Sequence, residues 1–154
     1  MDNSTLQSML LKAYQGEREA DAFYTRLLGE TDDFEAVDAL AEARRDERVH
    51  AEMIRGLILN LTGELPEEPS VEIPQYQSFE EAIRLAMVNE REAAEFYGRI
   101  ISFADNPEVK NTFYYIREDE IVHALKFEAL LNELSQDQGG ESGIIPPLNF
   151  PPEL

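Results

Sequence analysis

Two short motifs, Glu47-x-x-His50 and Glu120-x-x-His123, constrain this chain more than any other feature. Residues three apart share one face of an α-helix, so each motif aims a carboxylate and an imidazole at one point. These are the only two histidines, and they occupy equivalent places in an internal repeat. At an offset of 73 residues, YQGEREADAFYTRLL (14–28) faces MVNEREAAEFYGRII (87–101), with seven of fifteen positions identical. RRDERVHA (44–51) faces REDEIVHA (117–124) in the same register. Two matching blocks without a register change predict a bundle with an internal pseudo-two-fold.

Hydrophobic spacing supports four long helices and no strand. The first opens at Ser4 with Gln7 in a capping-box pattern and stops at Gly29. The second starts near Asp32 and ends at Gly63. Its inner face reads Val37, Leu40, Arg44, Glu47, His50, Ala51, Ile54, Ile58 and Leu61. Pro66, Pro69 and Pro74 make 63–77 an extended link, long enough to cross the end of a bundle. Ser78 with Glu81 opens the third helix, which runs to about Ala104. Asn106-Pro107 opens the fourth, which runs to about Ser135. The short connections at 30–33 and 104–107 join antiparallel pairs. The expected fold is all-α: a four-helix bundle of two antiparallel hairpins joined by a crossover over 1–136, followed by a Gly/Pro-rich tail, 137–154.

Hairpin geometry then places the polar residues. Glu17 and Glu47 are equidistant from residue 32, and Glu90 and Glu120 from residue 105, both on expected turns. All four carboxylates and both imidazoles therefore fall in one layer. Such a layer in a dry core is very costly without positive charge. Two divalent cations about 3–4 Å apart would supply it. A Glu from each of two helices plus Glu-x-x-His from each of the other two is a di-metal carboxylate arrangement, and oxygen and imidazole donors suit iron or manganese. Glu47 and Glu120 would bridge, Glu17 and Glu90 would be terminal, and His50 and His123 would serve one metal each. Across the pseudo-two-fold, Asp119 would orient His50 and Asp46 would orient His123. Tyr24 and Tyr97, two turns after Glu17 and Glu90, should point inward toward ligand carboxylates. Arg44 and Arg117 lie one turn before each motif, on the same face, where they would balance the charge.

Composition narrows the alternatives. The chain has no cysteine, which removes disulfides, thiolate metal sites and thiol nucleophiles. Asp plus Glu number 32 against 13 Lys plus Arg, a formal charge of −19 that repels phosphate backbones and anionic lipid. Neither nucleic-acid nor membrane partners are expected. No apolar run approaches a membrane span, and Met1-Asp2-Asn3-Ser4 does not open a signal peptide. A soluble cytoplasmic protein is expected.

The set Gly16-Glu17, Asp46-Glu47-Arg48-Val49-His50, Asn89-Glu90 and Asp119-Glu120-Ile121-Val122-His123 resembles the ferritin-like di-iron carboxylate superfamily. Within it the chain is most similar to rubrerythrin-like proteins lacking the rubredoxin domain, over residues 5–135. The resemblance implies a ferritin-like bundle and two iron ions per chain, with manganese or a mixed pair as variants. It further implies a ferrous form oxidised by hydrogen peroxide or dioxygen. Without a cysteine-ligated domain, electrons would come from an external donor protein. Rubrerythrins usually carry a further ligand Glu one turn after the third-helix Glu; here that place is Ala93. Arg48 stands where bacterioferritins place a haem-ligating Met, so no haem is expected. A homodimer or larger homo-oligomer is expected. Two other functions stand beside the oxidoreductase: a ferroxidase that handles iron, and a metal-free helical interaction module.

Overall fold

The computed structural model describes residues 3–137. The tail expected from 137 onward lies outside the described residues, apart from Asp137, which closes the last helix. Four helices account for most of the described chain: α1 (Asn3–Leu28), α2 (Phe34–Thr62), α3 (Phe79–Phe103) and α4 (Pro107–Asp137). No described helix is long and apolar enough to cross a membrane.

The helix ends follow local chemistry. Asp33, one residue later than expected, caps α2 by accepting from the Ala36 N–H at 2.9 Å. The reason is steric and polar fit: an extended cap residue must place its carboxylate over the N–H three residues on. Ser78 accepts from the Glu81 N–H at 3.1 Å, and Glu81 accepts in return from the Gln77 N–H at 2.6 Å. Asn106 accepts from the Glu108 N–H at 2.8 Å, leaving Pro107 at a position that needs no donor. Gly63 ends α2 with φ at 80°, a left-handed conformation that favours glycine, and its N–H reaches the Leu59 carbonyl at 2.8 Å. The first helix already runs from Asn3, so Ser4 lies inside its first turn rather than before it.

The pairs α1/α2 and α3/α4 pack as hairpins, and α1/α3 and α2/α4 complete the bundle. Two apolar clusters fill it. Leu10, Tyr14, Ile54, Ile58, Ile100, Phe113 and Ile116 pack at one end. Phe23, Leu27, Leu40, Ile83, Phe127 and Leu130 pack at the other. Between them on α1, at residue 17, lies the polar layer. Leu57 is buried, whereas Leu61, read from the sequence as inward, is 40% exposed: the final turn of α2 runs past the last apolar layer.

The crossover departs from expectation. It runs the length of the bundle rather than across one end, because Ile83 at the start of α3 packs with Leu27 and Leu40, at the far end from Ile58. An extended link of 15 residues reaches about 50 Å, enough to parallel a helix of about 43 Å. Side chains of α1 hold it. Tyr14 donates to Glu68 at 3.1 Å, Arg18 pairs with Glu68 at 3.5 Å, and Tyr76 donates to Glu30 at 2.7 Å beneath the Arg26 guanidinium.

Removing either cap should expose orphan N–H groups at a helix start. Asp33→Ala and Ser78→Ala are each expected to lower unfolding free energy by about 1 kcal/mol, read from the denaturant midpoint at constant slope. An unchanged midpoint in both would mean that the caps do not hold these ends.

Candidate metal centre

Each helix contributes to the polar layer. Glu17 comes from α1, Glu47 and His50 from α2, Glu90 from α3, and Glu120 and His123 from α4. All six residues are at most 2% exposed. They form two overlapping groups: Glu17, Glu47, His50 and Glu120, and Glu47, Glu90, Glu120 and His123. Within each, one donor atom per residue lies within 4.8 Å of all the others. Glu47 and Glu120 belong to both groups, while Glu17 with His50 and Glu90 with His123 belong to one each.

The distances suit a shared ion. His50 Nδ1 is 3.2 Å from a Glu17 oxygen and 3.1 Å from a Glu120 oxygen. His123 Nδ1 is 3.2 Å from Glu47 and 3.8 Å from both Glu90 and Glu120. Donor atoms bonded to one ion at about 2.1 Å stand about 3.0–3.4 Å apart. These contacts are off the line of a directed N–H bond. Glu17 Oε2, Glu47 Oε1, both Glu120 oxygens, His50 Nδ1 and His123 Nδ1 are all buried without a hydrogen-bond partner. Buried polar atoms are normally paired. Six of them converging from α1, α2 and α4, with Glu90 of α3 in the same cluster, fit a pair of cations.

The surrounding groups repeat the pseudo-two-fold. Asp119 Oδ2 is 3.0 Å from His50 Nε2, and Asp46 Oδ2 is 3.3 Å from His123 Nε2. Each aspartate thus occupies the outer nitrogen and leaves Nδ1 facing the layer. Tyr24 donates to Glu90 and Tyr97 to Glu17, each across to the other hairpin. Arg44 and Arg117 do not reach the layer. Arg44 turns to Asp21, 3.8 Å away, and Arg117 pairs with Glu118 at 3.5 Å while lying along Gly98. Their long stems carry the charge away from the layer, to the half-buried Asp21 and the exposed Glu118. Among the described residues, no lysine or arginine lies within ion-pair distance of the four glutamates. Arg48, at the place of a haem-ligating Met, pairs with Asp21 at 2.8 Å.

A cavity of about 500 Å³ opens between α1 and α3 onto Glu17, Glu47, Glu90 and Glu120. Gly16, Ala20 and Ala93 give it width, and sequence reasoning did not single out that cleft. The available signal was the run of small residues beside Glu17 and Glu90. On the opposite side, the Tyr115 ring stands edge-on to His50 with centroids 6.2 Å apart. No counterpart was legible, since the equivalent repeat position is Glu42.

Burial raises Glu47 well above the usual carboxylate range, and the neighbouring Glu120, Glu90 and Glu17 charges add to it. Burial and Glu120 do the same to Glu90; burial and Glu17 raise Glu120. Burial also opposes ionisation of Glu17, but contacts from His50, Glu47 and Tyr97 prevail and lower it. Burial alone would lower His50, yet the Glu120 and Glu17 carboxylates push it up to about 11. Burial and the nearby glutamates raise both Tyr24 and Tyr97, which stay neutral donors.

These shifts set the pH dependence of the metal-free protein. With Glu47, Glu90 and Glu120 raised, the folded state keeps protons that the unfolded chain has lost, so stability falls as pH rises. His50 has the same sign between 6.5 and about 11. Glu17 opposes only below its ordinary value of 4.5. In chelator, the denaturant midpoint should therefore fall from about pH 5 to about pH 8. Bound divalent metal displaces those protons and should flatten the slope. A chelated protein whose midpoint rises over that range contradicts the assignment of shared protons.

Similar proteins fit this geometry. The family model described as Rubrerythrin matches residues 8–131. No curated protein matches the sequence significantly. Among solved structures, the manganese catalase KatB from Anabaena PCC7120 aligns with a TM-score of 0.74 at 18% identity, covering 94% of this chain and 79% of that one. A conserved hypothetical protein from Mycobacterium tuberculosis aligns at 0.74 and 16% identity, covering 84% and 99%. A two-domain protein from Anabaena variabilis, with DJ-1/ThiJ/PfpI-like and ferritin-like domains, aligns at 0.71 and 16% identity. That match covers all of this chain and 42% of the other, so the chain spans less than half of that protein. At such identities the likeness establishes the shared ferritin-like bundle. With the family match spanning most of its length, the chain belongs to the rubrerythrin family.

Proposed function

We propose that the chain is a di-metal oxidoreductase of the rubrerythrin kind. Glu17, Glu47, His50, Glu90, Glu120 and His123 would hold two iron ions, oxidised by hydrogen peroxide or dioxygen and reduced again by an external donor protein. The carrying observation is the convergence of six buried, unpartnered donor atoms from α1, α2 and α4, with Glu90 of α3 beside them and no lysine or arginine to neutralise them. When bound, a ferrous pair supplies two electrons and Lewis acidity at one place. The donor set also suits manganese, and KatB is a manganese catalase with this fold.

The chain's own residues prepare that place. Glu47 and Glu120 sit where each can serve both positions. Asp119 and Asp46 accept from the outer imidazole nitrogens and fix which nitrogen faces inward. Tyr24 and Tyr97 donate to Glu90 and Glu17 and limit how far these carboxylates can swing. The apolar clusters above and below exclude water from the layer, while the α1/α3 cleft admits a small oxidant.

Two measurements test this reading. Anaerobic titration of ferrous-loaded protein should consume one hydrogen peroxide per pair of ferrous ions. Oxidation by dioxygen alone, with many irons stored per chain, would favour the iron-handling function instead. Independently, Asp119→Ala should weaken metal binding roughly 10–100-fold in competition with a chelator, with the helical signal retained. Unaltered affinity would remove the positioning role from Asp119.

A further inference from the structure

The α1/α3 cavity is far larger than hydrogen peroxide requires. A water molecule takes a share of about 30 Å³ in the liquid, whereas pockets for drug-sized organic molecules span about 300–1,000 Å³. This one is about 500 Å³. Its width comes from missing side chains. A Cβ added at Gly16 would meet nothing within 4 Å. Ala93 stands one turn from Glu90, where a longer side chain would cross the opening. Phe23 and Phe96 add aromatic wall, and Ala13 and Ala20 add aliphatic wall. The cavity thus has an apolar body and a polar floor of carboxylates and tyrosine hydroxyls.

The rim selects by charge. Glu19, Glu72, Glu92 and Glu95 line it against Lys12 and Arg99, an excess of two negative charges on an acidic protein. Both cations are drawn over the Phe96 ring, Lys12 Nζ at 5.1 Å and Arg99 Cζ at 5.4 Å from its centroid. Each is engaged by the aromatic ring, and the acidic residues outnumber them. A fatty-acid hydroperoxide or other anion is disfavoured at such a rim. An uncharged molecule with a compact hydrocarbon body and one polar end fits it.

We propose that this cavity binds neutral organic hydroperoxides, with the hydrocarbon body against Ala20, Phe23 and Ala93 and the peroxide end toward the buried carboxylates. The proposal rests on the oxidoreductase reading above. Its chemistry balances: the O–O bond of ROOH breaks, two electrons come from the ferrous pair, two protons enter from solvent through the cleft, and ROH and water leave. The external donor then returns the two electrons.

The test uses cumene hydroperoxide and hydrogen peroxide on ferrous-loaded wild type and on Gly16→Leu and Ala93→Leu. Both substitutions suit a helix and fill the cavity. The ratio of the cumene hydroperoxide rate to the hydrogen peroxide rate should fall roughly 10–100-fold in each variant. A second readout needs no metal: 2-phenyl-2-propanol, the product alcohol, should give ligand-observed NMR contacts with metal-free wild type and lose them in both variants. If wild type reacts with hydrogen peroxide but not with cumene hydroperoxide, the cavity proposal fails and the oxidoreductase reading stands. If both oxidants slow equally in the variants, or the alcohol binds the variants as well as wild type, the cavity does not select. If wild type reacts with neither oxidant, the oxidoreductase reading falls as well.

Discussion

Four carboxylates buried in one layer repel one another, and the rest of the molecule is arranged around that repulsion. Each of the four is at most 2% exposed, and no lysine or arginine of the described residues reaches them. Leaving such charge dry and unpaired would unfold a bundle of this size. Two relief mechanisms are built in. Without metal, the layer retains protons, which is why Glu47, Glu90 and Glu120 are raised while His50 is held protonated beside Glu17. With divalent cations, the same oxygens and inner imidazole nitrogens become donors, and the protons leave. A layer arranged for both fits a di-metal site, at some cost to the empty fold.

The pseudo-two-fold turns this local chemistry into a tie between hairpins. Tyr24 on α1 donates to Glu90 on α3, and Tyr97 on α3 donates to Glu17 on α1. His50 on α2 meets Asp119 on α4, and His123 on α4 meets Asp46 on α2. These four pairings each cross from one repeat to the other. The apolar clusters at either end fix the helices' separation, and these reciprocal contacts fix their register. The α1/α3 side stays open onto the layer, because Gly16, Ala20 and Ala93 carry little or no side chain to close it.

Much of this was legible in the sequence, for physical reasons. Helix caps are local, so Ser78 and Asn106 announced their helices; Asp33 differed by one residue from its expected start. Residues equidistant from a tight turn must share a height, which placed Glu17 beside Glu47 and Glu90 beside Glu120. Long side chains were harder. Spacing put Arg44 and Arg117 on the inner face, but flexible stems let both reach outer acids. The path of the 63–77 link depends on which end of α1 meets the start of α3, and no local signal carries that. Nor does any local signal carry the cleft, because empty space is a property of four helices together.

A layer built for metal and a layer built to hold the bundle together respond oppositely to the loss of one carboxylate. Glu47→Gln distinguishes them most directly, since the amide mimics the protonated acid but cannot serve as a bridging carboxylate. Denaturant midpoints of wild type and variant should be compared at neutral pH, in chelator and with ferrous iron under anaerobic conditions. In chelator the variant should be as stable as wild type or more so. Iron should raise the wild-type midpoint clearly and the variant's much less. A variant destabilised in chelator by about 3–5 kcal/mol, as on breaking a buried ion pair, with a wild-type midpoint indifferent to iron, would contradict a layer built for metal.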